Sequence, residues 1–234
     1  EKALNELGPI DKKIKGKITM PEKKQPKTYN LKPIILPPRP AEKPYSTRKA
    51  YGDALVKLHP KFPDMVVLDA ETSNSTYAET FARTYPKRYF EMFIAEQNMV
   101  STALGLSRRG KIPFVSTFAA FLSRAFDQIR MSQYSDSNIK FVGSHAGVAI
   151  GEDGASQMSI EDLALATTLP GFAVMNPSDE FCMRALVKLS AERKGAVFIR
   201  AGRPKAPIVH SEQTKFEIGK GIKLREGKDV TLVA

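Results

Sequence analysis

A single cysteine, Cys182, stands among the 234 residues, so an internal disulfide is excluded. That usage suits a reducing cytoplasm, the expected location. Cys182 falls on a predicted amphipathic helix, where it reads as a small core residue. No apolar run approaches the roughly 20 residues that a membrane-spanning helix needs. Glu1-Lys-Ala-Leu-Asn-Glu6 lacks the apolar centre of a signal peptide. Gly151-Glu-Asp-Gly154 has neither the spacing nor the lysine of a phosphate-binding P-loop, and its glycines instead read as a turn presenting Asp153. The basic stretch near the start has no interleaved aromatics of the kind that single-stranded nucleic acid stacks on.

Charge is present but unevenly spread. The net charge is +11, yet residues 1–50 hold 13 Lys and Arg against 5 Asp and Glu, leaving only +3 for residues 51–234. The excess reads as a solvated linker rather than a nucleic-acid arm, so nucleic acid is disfavoured as a partner, and so is a membrane. Residues 9–44 contain eight of the 16 prolines, which rules out a regular helix or a central strand there. Glu1 to Leu7 reads as the last turns of a helix stopping at Gly8-Pro9, and Asp229 to Ala234 as a strand. On this reading the chain is part of something longer.

From Ser46 the pattern changes, and the apolar share of 42% suffices for a core. Helical periodicity over 47–58 places Tyr51, Ala54, Leu55 and Leu58 on one side. Short apolar strands are predicted at 65–68, 89–94, 112–116, 139–143, 171–175 and 196–200. Helices are predicted at 96–108, 118–133, 160–167 and 177–192, the last opened by Asn176-Pro177 and the one before by Ser159-x-x-Asp162. Such alternation predicts an α/β fold, a parallel sheet covered on both faces.

In such sheets ligands gather at the carboxyl ends of the strands. The polar and aromatic residues falling there are Asp69, Glu71 and Ser75, then Glu96, Phe118 and Phe121, then His145 and Asp153, then Arg200 and Arg203. Each has a structural explanation alone. An acid at a helix start such as Glu96 gains about 0.3–1 kcal/mol from the macrodipole. Phe118 and Phe121, three apart, fit a core face. His145 sits in a Gly-flanked loop, where a site role and a structural one are balanced. Arg48 and Arg203 are either surface charges or a clamp on a phosphate. Together, one acid beside an apolar aromatic pocket suits a heteroaromatic cofactor that exchanges a proton.

The motifs Ser46-Thr-Arg48-Lys-Ala-Tyr-Gly52, Ile94-Ala-Glu96-Gln-Asn-Met99, Ser116-Thr-Phe118-Ala-Ala-Phe121 and Arg124-Ala-Phe-Asp127-Gln-Ile-Arg130 occur in order. Gly143-Ser-His145, Ile150-Gly-Glu-Asp153-Gly154-x-Ser-Gln157 and Phe198-Ile-Arg-x-x-Arg203-Pro204 follow. Across Ser46 to about Pro207 the chain resembles the pyrimidine-binding domain of transketolase. The resemblance implies a three-layer parallel-sheet sandwich of the thiamine diphosphate-binding type, preceded by an extended linker. It divides the chain into 1–44 (end of a diphosphate-binding domain, and linker), 45–210 (pyrimidine-binding domain) and 211–234 (start of a C-terminal domain).

The implied activity is transfer of a two-carbon ketol group from a ketose phosphate to an aldose phosphate, as in the pentose phosphate pathway. By resemblance, Glu96 hydrogen-bonds the aminopyrimidine of thiamine diphosphate and is catalytic with His145 and Gln157. Glu71, Phe118, Phe121 and Arg124 complete the cofactor site. Arg48, Ser75, His145, Asp153 and Arg203 bind the sugar phosphate.

Three departures from the family pattern stand out. Glu71 replaces the usual Asp that reaches the cofactor across the dimer. Gln157 replaces the His of many bacterial, yeast and plant members, as in animal-type enzymes. No Gly-Asp-Gly with an Asn about thirty residues on occurs, so the Mg2+ or Ca2+ and diphosphate site is expected on another domain, in cis or in trans. A homodimer is expected for the full enzyme, and the chain alone is expected to be inactive. The rival readings are another thiamine diphosphate enzyme such as deoxyxylulose-phosphate synthase, a non-catalytic transketolase-derived interaction protein, and a nucleic-acid tether formed by the basic leader.

Overall fold

Five consecutive buried residues, Met65–Asp69, form strand β2. Met65 and Val67 enter one apolar cluster, and Val66 and Leu68 the other. The period of two thus feeds both faces of one sheet, so the run reads as continuously apolar rather than alternating. β4 (Ile112–Phe118) and β5 (Lys140–Ser144) are likewise buried almost throughout, with Ser116, Thr117, Lys140 and Ser144 as their polar members. With β3 (Tyr89–Glu91), β6 (Ala173–Met175) and β7 (Val197–Arg200) they build a six-stranded, wholly parallel sheet of order β3-β2-β4-β5-β7-β6.

The computed structural model describes residues 43–233, within one compact unit spanning Ala41–Ala234. Helices α1 (Thr47–Leu58), α3 (Ala78–Thr84) and α8 (Glu180–Glu192) cover one face through Tyr51, Leu55, Phe81, Met183 and Val187. Helices α4 (Glu96–Arg108), α6 (Phe126–Tyr134) and α7 (Asp162–Thr167) cover the other through Met99, Val100, Ala103, Ile129 and Ala166. The expected three-layer α/β architecture is therefore present. Two short helices, α2 (Ser73–Thr76) and α5 (Ala119–Leu122), lie at the carboxyl end of the sheet. So does a two-residue antiparallel pair, β1 (Tyr45–Ser46) with β8 (Lys205–Ala206), which joins the Arg48 motif to the Arg203 motif.

Several boundaries differ from the sequence expectation. The strand predicted over 89–94 stops at Glu91, because Phe93 adopts φ 55° and turns the chain out of the sheet. The helix predicted over 118–133 is broken: Phe118 ends β4, and a 3-10 turn at Ser123–Ala125 separates α5 from α6. Gly143 admits this turn of chain, since a Cβ there would lie 2.9 Å from that of Ala119. Asn176-Pro177 does not open α8. Asp179 caps it instead, accepting from the Cys182 N–H at 2.9 Å. Ser159-x-x-Asp162 forms no capping box, because the Asp162 carboxylate is taken by Arg200 at 2.7 Å.

No strand forms over the described part of 229–234, where Val230, Leu232 and Val233 are exposed and no neighbouring strand offers hydrogen-bond partners. The predicted N-terminal helix end, and all of the linker except residues 43 and 44, lie outside the described residues.

Candidate functional site

The register brings the carboxyl ends of five strands to one rim: Asp69 stands opposite Glu91 and Ser116, Phe118 opposite Ser144, and Gly143 opposite Arg200. Three residues that directly follow these strands, Glu71, Phe93 and His145, adopt left-handed φ values of 59°, 55° and 55°. Non-glycine residues hold that conformation only where neighbours over-determine it, at a cost of about 1–3 kcal/mol each.

At the β2 end, Asp69 organises the following turn. One of its oxygens accepts from the Thr72 N–H at 2.7 Å and hydroxyl at 3.0 Å, and the other from the Thr76 hydroxyl at 2.7 Å. Burial pushes its carboxyl up to about 7, with these three donors opposing the rise. The turn so fixed carries Glu71 and Ser75. Across from it Glu91 accepts the N–H groups of both Glu71 and Phe93.

Glu96 is the first residue of α4, with 2% of its side chain exposed. Its carboxylate meets Arg124 at 2.9 Å, delivered by the 3-10 turn that follows α5. The guanidinium is 55% exposed, so the pair bridges the interior and the surface of the rim. Phe118 and Phe121 stack on one another at 5.0 Å and 13°. Phe118 also stacks on the His145 imidazole at 3.8 Å. Three flat rings thus stack on the same rim that carries the Glu96–Arg124 pair. His145 Nδ1 lies 3.1 Å from Ser144 Oγ. Burial, then the charges of Arg48 and Arg203, hold this imidazole down to about 4, opposed by Asp153, so it is neutral near pH 7.

The remaining predicted residues form a second group. Arg48 donates to the Ser75 carbonyl and, at 3.0 Å, to the Arg203 carbonyl, with its guanidinium 5.5 Å over the Tyr77 ring. Burial lowers its pKa, and the neighbouring Arg203 lowers it further. Arg203 donates to the Ile150 carbonyl and pairs with Glu152 at 3.0 Å and Asp153 at 3.4 Å. Gln157 ends the 3-10 turn Ala155–Gln157, which packs against α5.

Two of the predicted residues also hold a neighbouring arginine in place. Ser75 engages Arg48 through its backbone oxygen, and Asp153 meets Arg203 directly. Asp69, Glu91 and Glu152 were not singled out for the roles they hold here. Only Glu91 carried a usable signal, as an acid inside an otherwise apolar predicted strand.

A buried carboxylate and stacked rings on one rim can hold a flat heteroaromatic base, and a paired-arginine group with one neutral imidazole can hold an anionic polyol. Among the described residues no cluster of three His, Cys, Asp or Glu is placed to hold a metal ion. No helix among them is long and apolar enough to cross a membrane.

The family model described as transketolase, pyrimidine binding domain, matches residues 43–208. The mouse transketolase-like protein 2 is 52% identical over 182 residues, 77% of this chain and 29% of that protein. Human transketolase is 44% identical over 224 residues, 94% of this chain and 36% of its own length. The chain thus spans about a third of the curated relatives it matches. Among solved structures, one titled split gene transketolase, inactive beta4 tetramer, superposes with a TM-score of 0.72 at 49% identity, covering 80% of this chain and 61% of that one. A Pichia stipitis transketolase in complex with sedoheptulose-7-phosphate, 24% identical with a TM-score of 0.66, shares the fold and covers 72% of this chain and 27% of its own.

Proposed function

Since the chain belongs to the transketolase family, matched through its pyrimidine-binding domain, we propose that it supplies the pyrimidine-binding half of a thiamine diphosphate-dependent ketol transferase. The observation that carries this reading is the buried Glu96 carboxylate held by Arg124, on the same carboxyl-end rim as the Phe118–Phe121 stack. These residues fit an aminopyrimidine: an apolar aromatic stack, one acid for a ring nitrogen, and no dense charge that would favour phosphate at this end. When bound, the cofactor supplies the nucleophilic carbon that carries a two-carbon unit.

The chain's own residues orient and exclude. Phe118 and Phe121 desolvate one side of the base. Glu96 shares a proton with its ring nitrogen, and Arg124 fixes the direction of the carboxylate. Glu71 contacts the cofactor from a second copy in a homodimer. His145, neutral through burial, offers Nε2 to a sugar oxygen while Nδ1 faces Ser144. Gln157 and Asp153 read neighbouring hydroxyls. Arg48, Arg203 and Ser75 receive the terminal phosphate, for which two guanidinium groups are chemically apt.

The diphosphate and its Mg2+ or Ca2+ need a further domain, because this chain has no Gly-Asp-Gly motif. The split-gene neighbour, described as an inactive tetramer, supports the view that such a chain is inactive alone. The test combines the chain with a diphosphate-binding half, thiamine diphosphate and magnesium. Ketol transfer between sugar phosphates should appear, and Glu96→Ala should abolish it. Undiminished activity in that variant removes Glu96 from the mechanism. A mixture that stays inactive, while the chain captures an intact transketolase, supports the interaction-protein reading instead, which the relatives named transketolase-like keep open.

A further inference from the structure

Two of the left-handed residues on the rim share one acceptor. Oε1 of Glu91 takes the Glu71 N–H at 2.9 Å and the Phe93 N–H at 3.1 Å. Oε2 takes the Tyr89 hydroxyl at 2.8 Å, which fixes the carboxylate from the strand side. The backbone reinforces the junction, with the Met92 N–H donating to the Asp69 carbonyl at 2.8 Å. Glu71 and Phe93 belong to different strand-end loops, 22 residues apart in sequence. Their two N–H groups converge on a single oxygen, and both residues are left-handed, at φ 59° and 55°. Phe93 leads through only Ile94 and Ala95 to Glu96 at the start of α4.

We propose that Glu91 is a positioning residue, a clamp that locks the Glu71 loop to the approach of Glu96 and so sets where both acids stand toward the aminopyrimidine. This rests on the reading of the site given above. The carboxylate touches neither the base nor the sugar, and it acts through two backbone N–H groups. Any acceptor of the same length suffices. A glutamine does so, since its amide oxygen can take both N–H groups while its amide nitrogen turns toward the Tyr89 oxygen. An alanine leaves both N–H groups to water, and the left-handed turns lose the contact that selects them.

The test has two arms. In the full chain alone, amide exchange at Glu71 and Phe93 should speed up about tenfold or more in Glu91→Ala and return close to the wild-type rate in Glu91→Gln. In the enzyme assembled with its diphosphate-binding half, Glu91→Ala should raise the half-saturating thiamine diphosphate concentration about tenfold. It should also lower kcat at saturating cofactor by about 10–100-fold, as displacement of a reacting group by an ångström does. Glu91→Gln should rescue both.

Unchanged protection of the two amides in Glu91→Ala overturns the clamp whatever the cofactor does. A lowered melting temperature with unaltered cofactor half-saturation and kcat in the folded fraction overturns the positioning role. Failure of the wild-type assembly to bind thiamine diphosphate overturns the functional reading, while the exchange arm still reports on the clamp.

Discussion

The Glu96–Arg124 pair gives the sharpest energetic prediction. Arg124→Met removes a hydrogen bond of 2.9 Å onto a carboxylate that is 2% exposed. A hydrogen bond to a charged group contributes about 1.5–3 kcal/mol, and stranding a buried charge costs more. The Arg124 guanidinium is 55% exposed, however, so water can follow it into the gap and replace part of the bond. The lower end applies, about 1–2 kcal/mol, which for a unit of this size lowers Tm by about 2–8 °C.

Glu96→Met behaves oppositely. It removes the buried charge and leaves Arg124 in water, so stability should hold or rise. In the Glu96→Met background, Arg124→Met should cost under about 0.5 kcal/mol, because nothing remains to be stranded. The assay is denaturant unfolding of the four members of this double-mutant cycle. If Arg124→Met costs the same in both backgrounds, the pair is not coupled, and the argument that Arg124 fixes the Glu96 carboxylate fails.

Lys140, fully buried, donates to Asn138 Oδ1 and to the carbonyls of Arg193 and Gly195, each at 2.7 Å. Burial, and then the charge of Arg193, pulls its ammonium from 10.5 down to about 7. The unfolded chain therefore binds more protons between pH 7 and 10.5, and this residue makes stability rise with pH across that window. Lys140→Met should flatten the rise in equilibrium unfolding and, by orphaning two carbonyls, cost about 1–3 kcal/mol at pH 8; an unchanged slope refutes it. His145, held down to about 4 from 6.5, makes stability fall as pH drops from 6.5 to 4. His145→Gln should remove that part of the acid slope, and an identical slope in urea unfolding counts against the burial argument. Gly52→Ala would place a methyl 2.9 Å from Tyr77 Cβ and closer still to the Tyr77 carbonyl oxygen, for a loss of about 1–3 kcal/mol. A Tm within 1 °C or so of wild type would mean that the turn carrying Ser75 moves freely, contrary to the packing described.

The sheet was legible because burial on both faces leaves strands such as Met65–Asp69 without polar interruption, and its helices followed from the apolar period of 3.6. Less was visible where tertiary partners decide. Ser73-Asn-Ser-Thr76 has poor helix propensity, and the turn is held by Asp69, several residues away, through Thr72 and Thr76. The β1–β8 pair is two residues long, too short for any period, and joins positions about 160 residues apart. Asp162 looked like a cap because Ser159 precedes it by three, but Arg200 from β7 competes for the same carboxylate and wins. The rim residues were legible as a set, since each has a structural explanation alone but all fall at the carboxyl ends of apolar strands, where ligands gather in parallel sheets. Their pairings were not: Arg203 with Glu152 and Asp153, and Arg48 with two carbonyls, depend on loop paths that local sequence does not encode.

The left-handed residues connect these threads. Of the five non-glycine positions with positive φ among the described residues, Asp136 lies at the opposite end of the sheet from the rim, in the turn before β5, where a short polar residue tolerates that conformation. The other four are Glu71, Tyr77, Phe93 and His145, of which the first three are poorly suited to it, and all lie on the rim. Three are held from another segment, Glu71 by Glu91, Tyr77 by the close approach of Gly52 and His145 by its stack on Phe118, while Phe93 is held by Glu91 two residues before it. Local preference is thus overridden four times at one end of the sheet and almost nowhere else. Packing alone would favour glycine or asparagine at such turns, so larger side chains there imply that their positions matter more than the strain they cost. On that argument the rim is the place where this chain trades stability for geometry, and substitutions that relieve strain there, such as Phe93→Gly, should stabilise the fold while degrading the alignment of Glu96.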